Sequence, residues 1–184
     1  MSGKAVFLDR DGVIIEDKGY PHKIEEFKLA KNAISGLKSL KQYQLFIITN
    51  QSGIGRGLYT VQDFFRLNEH LLGELKKHEI KIEKTYYCPH KPEDNCECRK
   101  PKIKLLKEAE KDFNIILKSS FVIGDMKSDI ELGKNAGCGT ILVLTGNGIG
   151  ARDEADPDYV AKDLLDAANW ILKRTLKKSI FSKN

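Results

Sequence analysis

Short apolar, β-prone runs recur along this chain, and each stops abruptly at polar residues. Ala5–Leu8 ends at Asp9, Leu45–Thr49 runs into Asn50-Gln51-Ser52, Ser120–Ile123 gives way to Gly124-Asp125, and Thr140–Leu144 leads into the glycine-rich segment 145–150. Between them, apolar residues recur at helical spacing: Ala33, Ile34, Leu37 and Leu40; Phe64, Leu67, Leu71, Leu72 and Leu75; Leu105, Leu106, Ala109 and Phe113. Continuous apolar strands are those of a parallel sheet covered on both faces, and alternation with helices is how such a sheet is wound. The expected fold is therefore α/β, a three-layer sandwich with a mostly parallel, Rossmann-like central sheet in one domain spanning residues 1–184. In such sheets, ligands bind outside the carboxyl ends of the strands. The pattern adds a third strand at Ile80–Tyr87 and a short edge strand at Tyr159–Ala161. Thr60 and Asp63 resemble a capping box opening a helix through about residue 79. Pro101 suits the first turn of the next helix, and Gly137 suits the stop of a helix over 126–136.

Asp9, Arg10 and Asp11 cannot stay unpaired inside the core that Ala5–Leu8 enters, so they belong at the strand end, where Gly12 permits a sharp turn. Two acids this close repel unless a cation or proton neutralises one of them. Asp125 reaches the same rim from another strand. Asp9, Asp11 and Asp125 make an all-oxygen set of the kind that suits Mg²⁺, which binds through few carboxylates together with substrate phosphate. Thr49, Asn50 and Ser52 offer hydroxyl, amide and backbone donors to phosphoryl oxygens, and Lys100 is the candidate to neutralise the transferring group. A carboxylate can attack phosphorus while a second carboxyl protonates the leaving alcohol and later activates water.

Composition narrows the class. The chain has 184 residues, 41% hydrophobic and 31% charged, an ordinary globular balance that needs no metal or disulfide merely to fold. No apolar run approaches a membrane span, and no secretory-type leader precedes the first strand, so a cytoplasmic location and no membrane partner are expected. The net charge of +5 is carried by Lys173, Arg174, Lys177, Lys178 and Lys183, in the basic helix and tail over 162–184. The body is neutral, which disfavours nucleic acid. Cys88, His90, Cys96 and Cys98 supply three sulfurs and one imidazole, a closed tetrahedral set for structural Zn²⁺ in a loop over 88–98. Cys138 reads as a buried small residue, His70 and His78 as surface groups, and His22 as a loop residue outside the chemistry.

The order Asp9-x-Asp11-x-Val13, Thr49, Lys100 and Gly124-Asp125-x-x-x-Asp129 resembles the four motifs of the haloacid-dehalogenase-like phosphatases. The resemblance implies Asp9 as nucleophile, Asp11 as general acid and base, Thr49 and Lys100 as phosphoryl-binding residues, and Asp125 completing the Mg²⁺ site, with no large cap domain. The family often carries Thr where this chain has Val13. Asp129 is left with two readings, an acid acting through water or through the ligands it touches, or a helix-start acid favoured by the dipole.

The stretches Asp17-Lys18-Gly19-Tyr20, Thr49 to Gly57, Tyr87-Cys88-Pro89-His90 and Cys98-Arg99-Lys100-Pro101 resemble the zinc-containing D-glycero-D-manno-heptose 1,7-bisphosphate 7-phosphatases. That resemblance implies a small phosphorylated sugar as substrate. It places the substrate contacts at Asp17, Lys18, Gly19 and Tyr20, at Thr49, Asn50, Gln51 and Ser52, and at Arg99 and Lys100. The zinc loop runs straight into Arg99 and Lys100, so the metal would fix where these cations point. Histidinol-phosphate phosphatases share the catalytic motifs and a similar zinc loop. Phosphoacceptor receiver domains share the acidic strand ends but not the second acid or the zinc loop. A monomer is expected.

Overall fold

The structure is a computed structural model that describes residues 3–181, with side chains through residue 176. Of the basic residues expected at the chain end, Lys183 and the side chains of Lys177 and Lys178 lie outside that description. The strands are β1 (Ala5–Leu8), β2 (Gln44–Asn50), β3 (Lys84–Cys88), β4 (Phe121–Gly124), β5 (Gly139–Val143) and β6 (Tyr159–Ala161). The helices are α1 (Ala33–Ser39), α2 (Ser52–Gly55), α3 (Val61–Lys77), α4 (Lys104–Phe113), α5 (Lys127–Ala136), α6 (Gly148–Ala151) and α7 (Leu164–Phe181).

All six strands are parallel, in the order β3-β2-β1-β4-β5-β6. β1 lies in the middle, flanked by β2 and β4, and its four residues are fully buried. Their alternation builds two cores. Val6 and Leu8 join Leu67, Leu71, Leu164 and Ile171 on one face, whereas Ala5 and Phe7 join Leu105, Leu106, Ala109 and Leu132 on the other. α3 and α7 thus cover one side, and α4 and α5 the other, as the two-sided apolar strands require. No helix among the described residues is long and apolar enough to cross a membrane.

The capping box at α3 forms as expected, with Thr60 Oγ1 accepting from Asp63 N at 3.1 Å and Asp63 Oδ2 accepting from Thr60 N at 2.9 Å. Gly137 closes α5 in the left-handed region. Two element starts move by three residues or more. β3 begins at Lys84 because residues 80–83 still carry the chain from α3 to the sheet, with Ile80 buried at the turn. Pro101 follows a cis peptide and precedes the helix, which starts at Lys104.

Candidate active site

The sheet delivers Asp9, Thr49, Asn50 and Asp125 to one rim, because β1, β2 and β4 run in parallel and end together. A cavity of about 280 Å³ opens there. Its walls include Asp9, Asp11, Asp17, Gly19, Tyr20, Thr49, Asn50, Gln51, Arg99, Lys100 and Asp125. Two of the substrate contacts expected from the sequence lie outside the lining: Lys18 is exposed, and Ser52 is buried at the start of α2.

Lys100 organises the acids. Its Nζ lies 2.6 Å from Asp129 Oδ1 and 3.0 Å from Asp9 Oδ1, and it donates to the Ile48 carbonyl at 3.0 Å. Burial opposes its charge, but the carboxylates of Asp129 and Asp9 outweigh that and hold the ammonium protonated above the ordinary lysine range. Burial pushes Asp9 up to about 6, with Lys100 pulling it down and Asp129 pushing it up. Asp125 is raised to about 7, first by burial and then by the charge of Asp9. Gly12 stands at φ 79°, and a Cβ there would lie 2.2 Å from Asp125 Oδ2, so only glycine lets the β1 loop come this close.

The carboxylates of Asp9, Asp125 and Asp129 lie within 4.8 Å of one another. Oxygen donors alone, all three of them buried, suit a hard divalent cation such as Mg²⁺. The sequence pattern set Asp11 beside Asp9 and Asp125 as the third acid of this group. In the structure the third clustered carboxylate is that of Asp129, and the Asp11 carboxylate is taken up by Arg10 and Gln51. Arg10 Nε donates to Asp11 Oδ1 at 2.8 Å, while Arg10 Nη2 and Gln51 Nε2 donate to its Oδ2 at 3.1 and 2.9 Å. Burial raises the Asp11 carboxyl, against the pull of Arg10. Asp129 Oδ2 accepts from Met126 N at the start of α5, while its Oδ1 holds Lys100.

Three contributors had escaped the motif reading. Arg10, fully buried over the Phe64 ring, clamps Asp11 and donates to the Pro21 carbonyl. Asn147 Nδ2 bridges Asp17 Oδ2 at 3.0 Å and Asp125 Oδ2 at 3.3 Å. Tyr59 donates to Gln51 Oε1 at 2.6 Å. The position of Arg10 between two acids was the signal available for the first; the other two lie in no motif. His22 stacks on Tyr59 with 5.0 Å between centroids and does not line the cavity.

Cys88, His90, Cys96 and Cys98 form the second cluster, their donor atoms also within 4.8 Å. Burial raises the Cys88 thiol; hydrogen bonds from Cys88 and Cys98 overcome burial at Cys96 and bring it down to about 7. A three-sulfur, one-imidazole set fits Zn²⁺. The loop is joined to the cavity wall through its backbone. The Cys88 carbonyl accepts from Gln51 N at 2.7 Å, the Pro89 carbonyl from Gly55 N at 2.9 Å, and the His90 carbonyl from Arg99 Nη1 at 3.2 Å. Lys100 N donates to Asn50 Oδ1 at 3.1 Å.

Residues 97–167 match a family model described as HAD-hydrolase-like. The D-glycero-α-D-manno-heptose-1,7-bisphosphate 7-phosphatase of Campylobacter jejuni is 47% identical over 178 residues, covering 96% of this chain and 100% of that protein. The D-glycero-β-D-manno-heptose-1,7-bisphosphate 7-phosphatase of Helicobacter pylori is 46% identical over 174 residues, covering 92% and 98%. Among solved structures, the D,D-heptose 1,7-bisphosphate phosphatase of B. bronchiseptica, complexed with magnesium and phosphate, superposes with a TM-score of 0.86 at 28% identity, covering 93% of this chain and 99% of that one. With this identity running through nearly the whole chain, and with the acids, lysine and cysteine loop assembled at one rim, the protein belongs to the heptose-1,7-bisphosphate 7-phosphatase family of haloacid-dehalogenase-like phosphatases.

Proposed function

We propose that this protein removes the C7 phosphate from D-glycero-D-manno-heptose 1,7-bisphosphate through an aspartyl-phosphate on Asp9. The observation that carries the reading is Lys100 Nζ within reach of Asp9 Oδ1, with the Asp11 carboxyl on the same cavity. Asp9 attacks phosphorus, and the bond from phosphorus to the sugar oxygen breaks as Asp11 gives that oxygen a proton. Asp11 then takes a proton from the water that attacks the phosphoryl group, releasing inorganic phosphate and free Asp9. Lys100 and Thr49 hold the phosphoryl oxygens. Asp9 and Asp125, with Asp129 beside them, would hold Mg²⁺, and Asp11 adjoins the same site. When bound, Mg²⁺ supplies positive charge that offsets the approach of an anionic phosphate to a carboxylate.

Zn²⁺ held by Cys88, His90, Cys96 and Cys98 has a structural role, fixing the wall from which Arg99 and Lys100 project. Asp17, Gly19, Tyr20, Asn50 and Arg99 contact the sugar and its second phosphate, and Arg99 can fork onto either. All groups in this scheme come from one chain, and the working unit is a cytoplasmic monomer of one catalytic domain.

The test is a paired assay with Mg²⁺ of heptose 1,7-bisphosphate against histidinol phosphate, which a related family hydrolyses. Higher kcat/KM on the heptose supports the assignment; higher kcat/KM on histidinol phosphate overturns it.

A further inference from the structure

We propose that Tyr59 is a positioning residue for the phosphoryl-transfer step and that it acts through Gln51, whose amide serves the protein and not the substrate. The inference rests on the phosphatase reading above and adds to it two residues outside the acid and lysine motifs.

Gln51 lines the cavity, yet every hydrogen-bonding position of its side chain is taken. Its Oε1 accepts from Tyr59 Oη at 2.6 Å and from Arg10 Nη2 at 3.2 Å. Its Nε2 donates to Asp11 Oδ2 at 2.9 Å and to Thr49 Oγ1 at 2.8 Å. An amide offers two donors and two acceptor sites, so none is left for a ligand. Arg10 can only donate, which fixes the amide with its oxygen toward Arg10 and Tyr59. The consequence reaches both reacting walls. Asp11, the proposed proton donor, is held from one side by Arg10 and from the other by Gln51. Thr49 Oγ1 accepts from Gln51, which turns its own hydroxyl hydrogen away toward the cavity, where a phosphoryl oxygen would meet it.

Tyr59 is built into place to support this amide. It is 7% exposed, and His22 stacks on its ring with 5° between the planes. On the Gly53 side, a Cβ at that glycine would lie 2.1 Å from Tyr59 Cε1, so the ring occupies the space that a side chain would need. A ring wedged between glycine and imidazole has little freedom, and its hydroxyl can aim at one acceptor.

The test uses Tyr59→Phe, which removes the hydroxyl and keeps the ring, with Mg²⁺-loaded enzyme. kcat/KM is measured on heptose 1,7-bisphosphate, whose alcohol leaving group needs a proton, and on p-nitrophenyl phosphate, whose phenolate does not. Losing one hydrogen bond to the positioning amide should lower kcat/KM on the sugar about tenfold and on the aryl ester about twofold, with sugar KM unchanged. His22→Ala should shift the ratio in the same direction by a smaller factor, covering the case in which Tyr59→Phe melts below the assay temperature. Equal losses on both esters, or a change confined to KM of the sugar, would overturn the proposal. A wild-type enzyme without activity on either ester would instead refute the phosphatase reading itself.

Discussion

Lys100 Nζ and Asp129 Oδ1 stand 2.6 Å apart and are almost completely buried, an ion pair set directly behind the carboxylate of Asp9. Removing one member of a buried pair leaves the other charge uncompensated, which costs about 3 kcal/mol or more. Asp129→Asn should therefore lower the free energy of unfolding by about that amount in a denaturant titration. Lys100 would keep Asp9 as its ion-pair partner, and kcat should fall at least tenfold. Unchanged stability together with unchanged kcat would show that the pair positions nothing.

Asp9→Asn should abolish turnover and the acid-stable trace of phosphorylated protein after quenching with labelled substrate. The amide keeps the shape of the carboxylate but lacks the nucleophilic oxygen anion. Appreciable residual turnover would take the nucleophile's role from Asp9.

The metal-free protein should lose stability as pH rises. Asp9 and Asp125 are raised in the folded state to about 6 and about 7 from 3.8, so the folded protein holds their protons more tightly than the unfolded chain. Their favourable contribution is fully present below pH 3.8 and is lost as pH climbs through about 6 and 7. Bound Mg²⁺ neutralises the ionised acids. The rise in Tm on adding Mg²⁺ should accordingly be larger at pH 8 than at pH 5, read by thermal unfolding at both. An equal rise at both pH values would contradict the assignment of these acids to the metal.

Zinc analysis should find about one equivalent per chain, because four donors make one closed site. Stripping it with a chelator should lower Tm and cut kcat/KM, since the Cys88, Pro89 and His90 carbonyls brace Gln51, Gly55 and Arg99. A zinc-free protein with full stability and activity would exclude the bracing role.

The sheet was legible because apolar residues on both sides of a strand leave few alternatives, and the acids were legible because nothing but a rim tolerates them. The capping box at Thr60 needed only two residues in register. What escaped was orientation. The metal ligands were expected at Asp9, Asp11 and Asp125, but the buried guanidinium of Arg10 takes up the Asp11 carboxylate, and Asp129 joins Asp9 and Asp125 from the first turn of α5. Gln51 read as a substrate contact because it falls in the Thr49 to Ser52 stretch that carries the family resemblance. Its four partners, including Tyr59 eight positions on, are visible only once the chain has folded. Pro101 was read as a helix start from proline's general preference, and the backbone delays the helix to Lys104.

The strand order carries a consequence for how the chain is made. β1, β2 and β3 complete one half of the sheet, but β1 also pairs with β4, whose residues are synthesised much later. A growing chain must carry an entirely apolar, half-paired β1 edge until β4 emerges, and such an edge is open to wrong pairing. The arrival of β4, and not the folding of the first half, is then the step that closes the sheet's middle to wrong pairing.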